Sequence, residues 1–280
     1  MALAATTLAP DRQKLHSITV KGTKIAYYES GQGTPLLFLH GSPDTYAMWL
    51  PAIARLEKQA RCIAIDLPGY GDSTLPNSFS LTLDNMADFI HELLSALAIT
   101  EPVILATIDF GGHYGLAFAS KYPDEVRGVA VSNTNFFHDY HWHSFAQMQR
   151  VPVLGELMMA ISTKQVVANS LKSASPKLPD SYLDSSYETG LGSPYVRKTI
   201  LRMYRARASR DFIGWEDRWL EYAKRKPVIV LWGDKDPFVG PPFADRFGGQ
   251  VHHFTEYSHW LPLEAPDRYT DALIPWLASV

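Results

Sequence analysis

The sequence predicts an α/β fold, a mostly parallel sheet flanked by helices with a helical insertion late in the chain, and three observations carry that expectation. Strand-length apolar runs alternate with helix-length amphipathic segments across the first half of the 280 residues, which implies right-handed crossovers and helices on both faces of the sheet. Several runs are apolar throughout rather than alternating, as strands covered on both faces require. From Phe136 to about Ala223 the strand rhythm stops, and it returns near the end.

Taken in order, Lys24 to Tyr28 reads as a strand closed by a turn at Gly31-Gln32-Gly33. Leu36-Leu37-Phe38-Leu39 is a short buried strand, and Tyr46 to Leu56 follows in helical pattern. Arg61 to Asp66 is a second buried strand, ended by Pro68-Gly69. In Leu83 to Leu97 the apolar residues Met86, Phe89, Ile90, Leu93, Leu94 and Leu97 recur at helical spacing. Val103 to Thr107, Gly111 to Tyr122 and Val126 to Ser132 read as strand, helix and strand. After the break, Val228 to Trp232 and Val251 to Thr255 read as strands and Pro266 to Leu277 as a closing helix. The chain therefore divides into a first core part (1–135), a helical cap (136–223) and a second core part (224–280). Open α/β sheets bind ligands at the carboxyl ends of their strands, so an insertion leaving one strand end covers the site. The aromatic set Phe136, Phe137, Tyr140, Trp142 and Phe145 suits the lining of an apolar pocket.

Composition narrows the partners. Hydrophobic residues make up 46% and charged residues 20%, an ordinary globular balance. The net charge of −3, with no run of Lys or Arg, argues against nucleic acid or an anionic membrane. The single cysteine, Cys62, sits in the apolar run Cys62-Ile63-Ala64-Ile65 and reads as a buried thiol. One cysteine forms no internal disulfide, so nothing requires an oxidising compartment. Met1 to Arg12 lacks the basic start and long apolar stretch of a signal peptide. No run reaches the roughly eighteen apolar residues of a spanning helix. The expectation is a cytoplasmic protein, monomer or homodimer, that acts on a small apolar organic substrate and water without a cofactor.

The chemistry is concentrated in Val103-Ile104-Leu105-Ala106-Thr107-Ile108-Asp109-Phe110-Gly111-Gly112-His113. An apolar strand runs into one polar residue and then two glycines that open a helix. This is the context of a nucleophile elbow, a sharp strand-to-helix turn that exposes one side chain above the sheet. The exposed position holds Asp109, no Gly-x-Ser-x-Gly occurs in the chain, and Thr107 stands where a glycine is usual. Alone, the segment also fits a helix-capping Asp. Its neighbours favour the elbow. Leu39-His40-Gly41-Ser42-Pro43 follows a buried strand, Leu231-Trp232-Gly233-Asp234-Lys235-Asp236-Pro237 follows a late one, and Tyr257-Ser258-His259-Trp260 precedes the closing helix. Elbow residue, acid and histidine stand in the chain order of α/β-hydrolases.

On these motifs the chain resembles the α/β-hydrolase superfamily over nearly its whole length. An Asp at the elbow resembles the branch of epoxide hydrolases, haloalkane dehalogenases and fluoroacetate dehalogenases. The resemblance implies a catalytic set of Asp109, His259 and Asp236, with Asp234 as the alternative acid, and an oxyanion hole from the backbone N–H groups of Ser42 and Phe110. A carboxylate of pKa about 4 is ionised at neutral pH and attacks without a general base. It displaces a leaving group from a saturated carbon, and His259 oriented by Asp236 then activates water against the resulting ester.

The leaving-group residues separate the branches. Haloalkane dehalogenases carry a Trp after the nucleophile and an Asn after His-Gly, where this chain has Phe110 and Ser42. Fluoroacetate dehalogenases carry an Arg at the position of Phe110. Tyr140-His141-Trp142 and Tyr204 nevertheless resemble the His-Trp and Tyr set those enzymes place around fluoride. Tyr204 also lies where epoxide hydrolases have a cap tyrosine, and an epoxide oxygen, unlike a halide, leaves needing a proton. Tyr204, Trp142, His141 and His40 are thus the expected leaving-group and substrate residues. His138 and His143 beside His141 lack an acidic partner set, so no metal is expected. The sequence favours an epoxide hydrolase. A dehalogenase using the same triad, an idle receptor-like relative and an esterase stand behind it.

Overall fold

A computed structural model describes residues 12–280 of the chain; the first eleven residues, where a signal peptide is not expected, lie outside the described part. Its strands are β1 (Leu15–Val20), β2 (Thr23–Ser30), β3 (Pro35–Leu39), β4 (Arg61–Ile65), β5 (Val103–Ile108), β6 (Val126–Ser132), β7 (Val228–Gly233) and β8 (Gln250–Phe254). They form one sheet in the order β1-β2-β4-β3-β5-β6-β7-β8. β1 and β2 pair antiparallel, β2 pairs antiparallel with β4, and every later pairing is parallel. β1 was not expected from the sequence: its Leu-His-Ser-Ile-Thr-Val mixes polar and apolar residues, and only Val20 is buried. β3, β5 and β7 are buried at every position, which explains their unbroken apolar runs.

The helices are α1 (Leu50–Leu56), α2 (Leu83–Ala96), α3 (Asp109–Lys121), α4 (Ser144–Arg150), α5 (Leu154–Ala160), α6 (Lys164–Ala174), α7 (Asp180–Ser186), α8 (Pro194–Arg205), α9 (Trp215–Ala223), α10 (Leu261–Glu264) and α11 (Pro266–Leu277). Two apolar layers result. One packs α2 and α3 on the sheet through Phe89, Ile90, Leu93 and Phe118. The other packs α1 and α11 on the opposite face through Trp49, Ile53, Tyr269 and Leu273. Among the described residues no helix is long and apolar enough to cross a membrane.

Between β6 and β7 the regular elements are all helices. Helix α8 begins at Ser193, whose side chain accepts from the Val196 N–H, with Pro194 in the first turn. It buries Val196, Ile200, Met203 and Tyr204, an i, i+4, i+7, i+8 stripe that turns Tyr204 inward. Helix α9 falls inside the stretch 136–223, yet it packs on α3 and buries Trp219 and Tyr222 in the core layer.

Candidate active site

The parallel strands deliver their carboxyl ends to one edge of the sheet, and Asp109, Asp236 and His259 come together there. Ile108 ends β5 in extended backbone, and Asp109 opens α3 with φ of +49°. A non-glycine residue in that region is uncommon and is held there by its surroundings. The turn is too tight for side chains next to it: a Cβ on Gly111 would stand 2.1 Å from the Leu39 carbonyl oxygen, and one on Gly41 would stand 2.4 Å from the Asp109 Cβ. The two glycines let the loop after β3 touch the elbow.

That contact sets the carboxylate. The Ser42 N–H donates to Asp109 Oδ1 at 2.8 Å. Burial raises the Asp109 carboxyl above its usual range, while the charge of His259 and the amides of Ser42 and Phe110 hold it down. The Asp109 side chain keeps 22% accessibility.

His259 lies across from it, with Nε2 3.8 Å from Asp109 Oδ2. Its Nδ1 is 2.7 Å from Asp236 Oδ2, so the imidazole donates to that carboxylate and turns Nε2 toward Asp109. Asp236 is fixed in turn: its Oδ1 accepts from the amides of Phe238 (2.7 Å) and Val239 (3.1 Å). Burial pulls the His259 imidazole down, but Asp236, Asp109 and Asp44 outweigh it and lift the group to about 9. Asp234 turns elsewhere, pairing with the exposed His253 at 2.7 Å.

The residues expected around a leaving group divide. Trp142 and Tyr204 close over the elbow on Phe110: Trp142 stacks on it at 5.8 Å, and Tyr204 meets it edge-on at 5.2 Å. Trp142 Nε1 is buried with no hydrogen-bond partner. Burial holds the Tyr204 phenol well above its usual value, with the charge of Asp109 adding to the shift. His141 is exposed, on the rim of an open depression of about 340 Å³ that Tyr140, Trp142 and Arg150 also line. His40 does not face the site. Its Nε2 accepts from the Leu67 N–H at 2.9 Å and its Nδ1 meets the Gly41 carbonyl at 2.6 Å. The ring is thus a staple between the loops after β3 and β4, and burial drops it to about 4.

Three further residues belong to this edge. Asn133, after β6, donates to Asp236 Oδ2 at 2.9 Å and clasps both the N–H and the carbonyl of Gly233. Tyr70, after β4, is fully enclosed, donates to Met203 Sδ at 3.1 Å and packs edge-on against His40. Asp44, after β3, is 4% exposed and hydrogen-bonded on both oxygens. The polar run Ser132-Asn133-Thr134-Asn135 behind an apolar strand was a legible signal for Asn133. Asp44 and Tyr70 give none in the sequence.

A family model for the alpha/beta hydrolase fold matches residues 34–266. Among curated proteins, a cis-3-alkyl-4-alkyloxetan-2-one decarboxylase of Shewanella oneidensis is 32% identical over 91% of this chain and 85% of its own length. Haloalkane dehalogenase 2 of Mycobacterium bovis is 26% identical over 90% of each chain. Among solved structures, the epoxide hydrolase CorEH without ligand superposes with a TM-score of 0.79 over 95% of this chain and 98% of its own, at 20% identity.

Proposed function

From the premise that the chain belongs to the α/β-hydrolase family, we propose that it opens a strained oxygen-containing ring, foremost an epoxide, through an ester on Asp109. Asp109 Oδ2 attacks a saturated ring carbon, the carbon–oxygen bond breaks, and Tyr204 protonates or hydrogen-bonds the departing alkoxide. Oδ1, already held by the Ser42 amide, becomes the ester carbonyl oxygen. Esterification removes the Asp109 charge, one of those that raise His259. The imidazole pKa falls, the ring sheds its proton to solvent, and the neutral form takes a proton from the water that attacks the ester. The oxyanion forms between the Ser42 and Phe110 amides. A diol leaves, and Asp109 keeps one oxygen from water. The helical segment acts as a cap that keeps bulk water from the ester.

The observation that carries this reading is the pairing of Phe110, whose side chain has no donor, with the inward-facing Tyr204 above it. The relative from Shewanella is named for an oxetan-2-one, also a small strained ring with a ring oxygen. A second reading rests on the buried, unpartnered Trp142 Nε1, which would suit a halide, and on the relatives named haloalkane dehalogenase. One panel separates them: purified enzyme with epoxides, 3,4-dialkyl-oxetan-2-ones, haloalkanes and haloacids, scored for diol, carbon dioxide and halide. Diol from epoxides supports the first reading. Efficient halide release with epoxides untouched overturns it, and carbon dioxide from oxetan-2-ones alone narrows the substrate to that ring.

A further inference from the structure

Asp44 is a buried carboxylate to which the reaction above gives no role. It lies between β3 and α1, and its two oxygens are held from opposite sides. The Tyr182 hydroxyl of α7 donates to Oδ1, and Trp260 Nε1 donates to Oδ2 at 2.9 Å. Trp260 follows His259 in the chain, and the two rings meet edge-on at 4.7 Å. Phe238 packs edge-on against both, at 5.1 Å from His259 and 6.1 Å from Trp260. The carboxylate is thus the joint between the helical segment and the loop that carries His259. Well-packed apolar residues fill such a place as stably as a buried charge does, so stability alone does not account for Asp44.

We propose that Asp44 is a positioning residue that fixes the His259 ring through Trp260 and ties that position to the docking of α7. The proposal rests on the reading that Asp109 and His259 carry the reaction. Three titratable groups face Asp44: Tyr182 from α7, His259 from the loop before α10, and Asp109 from the elbow. Burial lifts the carboxyl to about 6; the bonds from Tyr182 and Trp260 oppose this, Asp109 adds to it and the His259 charge opposes it. Asp44 is in turn one of the charges that raise His259. Tyr182 reports on α7, so the joint carries the state of the helical segment to the imidazole.

The test needs no substrate. In the full chain, His259 is titrated by nitrogen NMR of labelled histidines, and backbone deuterium exchange is followed in Asp180–Ser186, for wild type, Asp44→Asn and Tyr182→Phe. Asp44→Asn should move the His259 midpoint to lower pH and speed α7 exchange about tenfold, as loss of a hydrogen bond to a charged group would. Tyr182→Phe should speed α7 exchange likewise while the Trp260 indole N–H stays protected. An unmoved His259 midpoint in Asp44→Asn overturns the proposal whatever α7 does. If that variant does not fold, unchanged α7 exchange in Tyr182→Phe overturns it instead. Neither readout uses turnover, so failure of the Asp109 ester chemistry would show separately.

Discussion

Asp109, Asp236 and His259 are held by backbone amides and by one another beyond the ends of β5, β7 and β8, whereas Trp142 and Tyr204 face them from the stretch between β6 and β7 by side-chain packing. Within the set Asp109, Asp236 and His259, each side chain already has a hydrogen-bond partner or facing charge. On the helical side, Trp142 Nε1 is buried and unmatched. An unpartnered buried donor is disfavoured unless something else uses it. In the proposed mechanism this difference is a division of labour: strand ends preset the bond-making groups, and the helical layer presents donors to whatever leaves.

Substitutions on the two sides should differ in size and kind. Asp109→Ala should remove turnover by about 10⁴-fold or more in a protein whose circular dichroism is unchanged. If it kept substantial activity, the sheet side would lose its assigned role. Tyr204→Phe removes one donor and should slow ring opening by about 10²–10³ while leaving hydrolysis of a preformed ester nearly intact. Stopped-flow separation of the two half-reactions reads this directly, and an equal slowing of both would erase the division. Trp142→Phe sharpens the comparison, because loss of halide release with diol formation intact assigns the indole to a halide.

The pH dependence of stability probes the contact between Asp236 and His259. The folded value of His259, about 9, lies above its ordinary 6.5. A raised histidine stabilises the fold fully below its unfolded pKa, and that contribution is lost as pH rises through the folded one. The unfolding midpoint should therefore fall between about pH 6.5 and 9, and Asp236→Asn, which removes the nearest charge, should flatten that fall. An identical slope in the variant would mean that the Asp236 contact does not set the histidine. The smallest effect belongs to the rim: His141→Ala, at an exposed position, should change unfolding free energy by less than about 0.5 kcal/mol in denaturant.

The same contrast governs how much was legible in the sequence. The elbow was readable because its demands are local: an apolar strand, one polar residue, then glycines where no Cβ fits. Asp236 and His259 were readable because each follows or precedes a clear element. His40 was misplaced because nothing local tells a ring that stitches two loops from one that faces a ligand. Asp44 was invisible because its partners, Tyr182 and Trp260, stand 138 and 216 residues away. β1 was missed because an edge strand lacks the continuous apolar run that marked β3, β5 and β7. α9 was grouped with the stretch 136–223 because sequence periodicity says a helix is amphipathic without saying which layer it covers.

The most direct test of the central claim is a single turnover in heavy-oxygen water, followed by mass analysis of the Asp109 peptide and of the intact His259→Ala variant. An ester on Asp109 predicts one heavy oxygen in that carboxyl after the first turnover, unlabelled product from the same turnover, and a stable mass increase in the variant equal to the bound substrate fragment. Label in the product alone, with no adduct on His259→Ala, would mean that water attacks the substrate directly and that Asp109 is not the nucleophile.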